Sequence, residues 1–229
     1  MQRLEDLIQH HPDTANAIGA PGRDWMTYGD LKVLTLNVRQ ALRAAGIGAQ
    51  DRVAIVLPNG PEMAAAFVTV AQSTTTAPLN LAYKEDEFAF YLKDLKAKAI
   101  IVETGYDGPA RSVAKRFDMI VIELTATDPA GSFTLSTTAT GNAADTLPAS
   151  DDVALILHTS GTTSRPKIVP LLQSNVAASA QNVRASLALT PDDCCLNVMP
   201  LFHIHGLIAA VSGSLAAEHL SAVHQVLTR

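Results

Sequence analysis

Cysteine, aromatic residues and concentrated charge are all scarce in this 229-residue sequence, and each scarcity removes a class of protein. The only two cysteines, Cys194 and Cys195, are adjacent, a spacing that gives neither a disulfide span nor a pair of metal ligands. They are expected as buried or semi-buried thiols in a reducing compartment. Aromatics make up 5% and charged residues 17%, and the net charge of −5 is dispersed, with no basic stripe and no basic patch interleaved with aromatics. Nucleic acid is therefore excluded as an expected partner. No apolar run reaches the length of a membrane span; the longest, 206–217, is broken by Ser212, Gly213 and Ser214 and is expected as a buried helix. Residues 1–6 lack the apolar region of a signal peptide, and the terminal Leu-Thr-Arg is no peroxisomal address. A cytoplasmic location is expected, with a peroxisomal one left open for a longer form. What is plentiful is apolar residue, 48%, enough to fill the core of one large or two smaller domains.

Short apolar runs alternate with amphipathic segments, the rhythm of a layered α/β chain built from βαβ units. Strands are expected at 53–57, 99–102, 119–122 and 153–158. Thr27 followed by Asp30 predicts a capping box ahead of a helix with Leu31, Leu34, Val38 and Leu42 on one face, closed by Gly46. Asn59 is expected to cap the next helix, with Pro61 in its first turn and Met63, Ala66, Phe67 and Val70 inward. Residues 84–93 pattern as a surface helix resting on Phe88, Tyr91 and Leu92, and 173–189 as a helix with Val176, Val183 and Leu187 toward the core. Between them 125–150, dominated by Ala, Thr, Ser, Gly, Asp and Pro, reads as a connector, flexible at least in part. The expected organisation is an α/β subdomain over 1–124, the connector at 125–150, and the start of a second α/β subdomain at 151–229.

Directly after the strand at 153–158 comes His158-Thr-Ser-Gly-Thr-Thr-Ser-Arg-Pro-Lys167. Small residues let backbone N–H groups approach a phosphate, the hydroxyls of Thr159, Ser160, Thr162 and Thr163 add donors, and Lys167 adds a mobile cation. Open α/β sheets place ligands where their strands end. This is no Walker loop, since the G-x-x-x-x-G-K-[ST] spacing is missing and Ile168 follows the lysine. Nor does a G-x-S-x-G elbow surround Ser160 to make it a nucleophile. From the residues alone, a Ser/Thr-rich surface turn remains open beside the phosphate reading. Arg165 either assists or faces solvent, and His158 is expected to pack against the strand end.

The full string T-S-G-T-T-x-x-P-K resembles the phosphate-loop signature of the adenylate-forming superfamily of acyl-CoA synthetases, luciferases and peptide-synthetase adenylation domains. Pro200-Leu-Phe-His-Ile-His-Gly206 is similar to that family's second core motif. Thr27-Tyr28-Gly29-Asp30-Leu31, the stretch 48–55 and Leu57-Pro58-Asn59 resemble its N-terminal region. Within the superfamily, His158, Ser164-Arg165 and Val169-Pro170-Leu171 look most similar to the oxalate–CoA ligase branch. The resemblance extends to about Ala217, and 218–229 does not read as the strand and loop that should follow. Ile168 departs from the family, which usually has glycine there, and a β-branched residue is ill-suited if that position needs positive φ.

The resemblance implies the large N-terminal domain of an adenylate-forming enzyme, cut before its second half and before the small C-terminal domain. It implies ATP, Mg²⁺ and CoA as cofactors, and a small carboxylic acid as substrate. Thr159, Ser160, Gly161, Thr162, Thr163 and Lys167 would bind ATP, Thr163 would also hold the metal, and Lys167 would offset pyrophosphate charge. His203 would orient the reacting anions, and His203 with His205 would shape the acid pocket. The Y-G-x-T-E-type motif, the ribose-binding aspartate and the lysine-bearing domain do not occur in these 229 residues, so the chain alone is expected to be inactive. It is also expected to associate with itself through apolar surface around 206–217. Two alternatives stay open: a nucleotide-binding module without ligase activity, and a structural fragment that binds nothing tightly.

Overall fold

The structure, a computed structural model, describes residues 3–159, 166–217 and 220–223. After a 3-10 turn at Leu4–Leu7, strands β1 (Asn16–Gly19) and β2 (Met26–Thr27) lead into helix α1 (Tyr28–Ala44). The chain then alternates through β3 (Arg52–Val56), α2 (Pro61–Ala71), β4 (Thr75–Pro78), α3 (Glu85–Leu95), β5 (Ala99–Glu103), α4 (Pro109–Arg116) and β6 (Ile120–Ala126). It continues with β7 (Phe133–Ser136), β8 (Val153–Thr159), β9 (Lys167–Leu172), α5 (Gln173–Ser186) and β10 (Cys194–Asn197). A π-helix (His205–Ser212) runs into a short α-helical turn, α6 (Gly213–Leu215), before β11 (Leu220–Val223).

Strands form a seven-stranded sheet in the order β7-β6-β5-β3-β4-β8-β9 and a four-stranded sheet in the order β10-β11-β1-β2. In the larger sheet β6, β5, β3, β4 and β8 are parallel, and antiparallel β7 and β9 form its two edges. The four strands expected from the sequence are all present. β8 and β9, which lie beyond residue 150, extend the same sheet as β3 to β6.

Helix α2 is apolar on every side, with Met63 to Ala71 all buried, because it is the filling between layers. It touches β3 and β4 of one sheet and β1 and β11 of the other. One core joins α1, α2 and α5 to the inner faces of both sheets, while Phe88, Leu92, Leu95, Ala110 and Val113 of α3 and α4 cover the opposite face of the large sheet. Each fully buried side chain of this size contributes about 1.5–3 kcal/mol. The capping box of α1 forms as expected, Thr27 Oγ1 accepting from Asp30 N at 3.1 Å while Thr27 N donates to Asp30 Oδ2 at 3.0 Å. The helix closes with Gly46 at φ 81°, where Ile47 N bonds back to Leu42 O.

Several expectations are corrected. Asn59 does not cap α2; Gly60 stands at that position and the Asn59 side chain is used elsewhere. Leu187 lies past the end of α5 and is 66% exposed. Cys194 is exposed and Cys195 half-buried, since neighbours on strand β10 point to opposite sides. A strand, β11, does form within 218–229, taking the place between β10 and β1 in parallel register with both. Ile168 sits in extended strand backbone, where β-branching is favourable and glycine's freedom is not needed. The segment 206–217 is buried apart from half-buried Ala209, so it offers no surface for self-association; the exposed apolar residues nearby are Leu196, Val198, Met199 and Ile204.

The stretch 125–150 carries the end of β6 and all of β7, and its residues 141–146 are held against α1. Buried Arg43 donates to the carbonyls of Ile47, Ser73 and Thr146, each at 2.8 Å, and burial pushes its pKa below the ordinary value. Arg39 adds an ion pair to Asp145 at 3.1 Å. Among the described residues no helix is long and apolar enough to cross a membrane.

Candidate functional site

The strands that flank the phosphate-loop string, β8 and β9, lie side by side at the C-terminal edge of the parallel strands. β8 and β9 pair antiparallel, with His158 opposite Ile168 and Thr159 opposite Lys167. Because β8 runs parallel to β4, it ends at the same edge as β3 and β4. Thr159 and Lys167, both exposed, thus stand face to face at the base of the loop. Ser160, Gly161, Thr162 and Thr163, with Ser164 and Arg165, lie outside the described residues.

His158 is the buried member of this base. Its side chain is only 6% exposed, its Nε2 lies 3.1 Å from Asp94 Oδ2, and Tyr91 meets it edge-on with ring centroids 4.7 Å apart. Burial pushes its pKa below the ordinary histidine value, and Asp94 draws it back only in part. The imidazole is therefore neutral at pH 7, with Nε2–H donating to the carboxylate.

At the same edge the second motif folds as a tight turn. His203 N donates to Pro200 O at 3.2 Å, and the π-helix follows. Turns of this kind are rare and gather at functional sites. Gly206 is required by close approach: a Cβ there would lie 2.7 Å from the Pro200 carbonyl oxygen. The loop after β3 holds the turn in place. Asn59 Oδ1 accepts from Leu201 N at 2.7 Å and Asn59 Nδ2 donates to Met199 O at 3.3 Å, so one amide satisfies both sides of the motif's backbone. The sequence reading missed this role, and only the position of Asn59 at the end of a parallel strand hinted at it.

Between these elements lies a cavity of about 590 Å³, walled mainly by Leu57, Met63, Leu79, Leu81, Leu201 and Phe202. His203 leans on Phe202 with ring centroids 4.4 Å apart, but His203 and His205 are both exposed and neither lines the cavity. Two residues apart at the entry to a helical segment, they do not share a face. A smaller cavity of about 290 Å³ opens beyond the ends of β5 and β6, where Arg23 is already engaged by Glu62 at 2.5 Å. A cavity with mainly apolar walls at the edge where the parallel strands end suits the organic part of a ligand.

The AMP-binding enzyme family matches residues 4–223. The chain belongs to that family. Among its curated relatives, the oxalate–CoA ligase of Arabidopsis thaliana is 37% identical over 220 residues, covering 93% of this chain and 43% of the relative. The oxalate–CoA ligase of Saccharomyces cerevisiae is 39% identical over 83% of this chain and 40% of its own length. Membership of the oxalate–CoA ligase-like branch follows. The fold is that of ATP-bound MatB from Rhodopseudomonas palustris, with a TM-score of 0.79 and 25% identity over 96% of this chain and 44% of that one. The chain spans about two fifths of the length of the curated relatives it matches.

As a member of this family the chain presents its second motif on one amide, which makes Asn59 testable. Asn59→Ala is expected to lower the free energy of unfolding by about 1–2 kcal/mol, the worth of two half-buried hydrogen bonds. Asn59→Asp, which keeps the acceptor for Leu201 N, is expected to recover part of that loss in denaturant melts. An unchanged midpoint in both variants would mean that water replaces the amide.

Proposed function

We propose that these residues are the phosphate-loop portion of an ATP-dependent, AMP-forming acid–CoA ligase that acts on a short polar acid such as oxalate. The observation that carries the reading is the T-S-G-T-T-S-R-P-K string on a hairpin at the edge where the parallel strands end, in a chain similar to two oxalate–CoA ligases. The reaction joins a carboxylate oxygen to the α-phosphorus of ATP, breaks the bond to pyrophosphate, and then passes the acyl group to the CoA thiol with release of AMP. Negative charge spreads over phosphoryl oxygens in the first step, so the protein's task is positioning and charge stabilisation rather than nucleophilic attack.

Thr159 and Lys167, both exposed and directly opposite each other where the two strands meet the loop, would contact a polyphosphate from the same end of the strand pair. In this reading Ser160, Gly161, Thr162 and Thr163 complete the cradle with hydroxyl and backbone donors. Thr163 would hold Mg²⁺, which would supply further offset of phosphate charge. His203 orients the two reacting anions, and His205 offers the second donor that a dicarboxylate needs. The test is acid-dependent pyrophosphate release by the full-length protein with oxalate, malonate, acetate and a long-chain fatty acid. Oxalate or malonate is expected to lead. Activity confined to the fatty acid overturns the substrate assignment, and the absence of pyrophosphate release with any acid overturns the reaction class.

A further inference from the structure

His158 and Ile168 flank the phosphate-loop string, and the structure makes them direct cross-strand partners. Side chains alternate along a strand, so His158 shares a face with Ile156, toward α3, while Thr159 turns to the other side. On that face Ile156 belongs to the core beneath α3 and α4, and Ile168, Tyr91 and Tyr83 pack against it. Tyr83 stacks on Tyr91 with centroids 4.7 Å apart, Tyr91 meets the imidazole edge-on, and Asp94 Oδ2 accepts a hydrogen bond from its Nε2 at 3.1 Å. The polar contact just before the loop is thus covered on the imidazole side by aromatic and aliphatic groups and open to solvent on the Asp94 side.

We propose that His158 is the positioning residue of the phosphate hairpin: held by Asp94 and Tyr91 of α3 and by Ile168 of β9, it fixes the strand pair from which Thr159 and Lys167 reach the nucleotide. The inference rests on the ligase reading for what the hairpin binds, and on geometry alone for how it is anchored. Strand β9 is the sheet edge, paired on one side only, so nothing else in the sheet restrains it. The groups facing the imidazole are few. Asp94, Tyr91 and, behind it, Tyr83 come from α3 and the turn before it, and β9 presents uncharged Ile168. Burial lowers the pKa of His158 in the fold, so the anchor is complete above the ordinary histidine value of 6.5 and weakens as pH falls through it toward the lower folded value.

Two readouts test the proposal, with variants that separate anchoring from general stability. Hydrogen exchange on this chain is expected to show His158→Ala speeding the amides of Lys167 and Ile168 about ten-fold, the loss of one charge-assisted hydrogen bond, while β3 and β5 keep their protection. His158→Gln keeps a donor at the Nε2 position and is expected to restore protection while removing its decline below pH 6.5. In the full-length protein His158→Ala is expected to raise KM for ATP about ten-fold with little change in KM for the acid, and Gln is expected to restore it. Exchange that rises equally in β3, β5 and the hairpin overturns the proposal, as does an Ala variant with unchanged ATP KM or a Gln variant no better than Ala. Hairpin-confined exchange with Gln rescue supports the anchor even where the parent protein releases no pyrophosphate with any acid, a result that sinks the ligase reading instead.

Discussion

Lys167→Ala in the full-length protein is expected to weaken ATP use by about 1.5–3 kcal/mol, roughly ten- to hundred-fold in kcat/KM for ATP, without unfolding the protein. The stability half of that expectation follows from where the residue sits. Lys167 opens β9 with its side chain exposed, so truncation leaves no cavity and no buried partner unsatisfied. The functional half follows from its register opposite Thr159, which puts its ammonium beside the mouth of the loop. Lys167→Arg is expected to recover only part of the loss, because a planar fork on a differently shaped stem does not replace a compact, rotatable charge. Raised salt is expected to shrink the difference between parent and variant, since an exposed cation is screened. Turnover in both variants equal to the parent would make Lys167 an ordinary surface residue.

The parts of this fold that were legible in the sequence are those whose burial is written into local periodicity. β3, β5 and β8 are short β-branched runs buried between layers, and α1 and α3 carry apolar stripes with capping signals at their starts. What was illegible depends on partners distant in sequence. β7 is Phe-Thr-Leu-Ser inside a polar stretch, a strand only because the edge of β6 needs pairing. β9 contains Pro170, which argues against a strand until its position at the sheet edge shows that the missing N–H can face away from β8. The leucine of β11 begins a four-residue run too short to announce itself, yet the run sits between two strands.

The candidate site divides in the same way. The loop string and the Pro200 to Gly206 motif were readable as chemistry through their resemblance to family signatures, since from the residues alone a surface turn stayed open beside the phosphate reading. Their supports were not. Asn59 read as a helix cap from its neighbours alone, but its amide is drawn to a loop 140 residues away. His158 gave no sign of Asp94, which lies 64 residues earlier and is brought to it by the crossing of α3 over the sheet. Residues that touch ligand tend to be conspicuous in sequence, whereas those that aim them are ordinary until the topology pairs them.

A polypeptide of these 229 residues on its own is expected to make no acyl-CoA, the largest effect anticipated here. It carries one wall of the proposed ATP site, the hairpin base with Thr159 and Lys167, and one face of an apolar cavity closed by Phe202 and Leu201. The Y-G-x-T-E-type string that the resemblance places in the site does not occur in these 229 residues, so a polypeptide limited to them is not expected to hold the acid, the α-phosphorus and the thiol in line. Losing that positioning removes on the order of 7–11 kcal/mol of barrier lowering, which takes turnover below detection. The same polypeptide is expected to self-associate, though not through the buried π-helix. Leu196 at 56% exposure lies on the edge strand β10, and Val198 at 57% and Ile204 at 51% continue the patch along the second motif. Exposed apolar side chains beside an edge strand favour pairing with another chain, although Asp192 and Asp193 flank this one. A coupled pyrophosphate assay and light scattering on the isolated polypeptide read the two expectations separately. Robust acid-dependent turnover would overturn the positioning argument. A monomer without turnover would remove the association and leave the catalytic expectation standing, and the substitution Leu196→Lys should then change neither result.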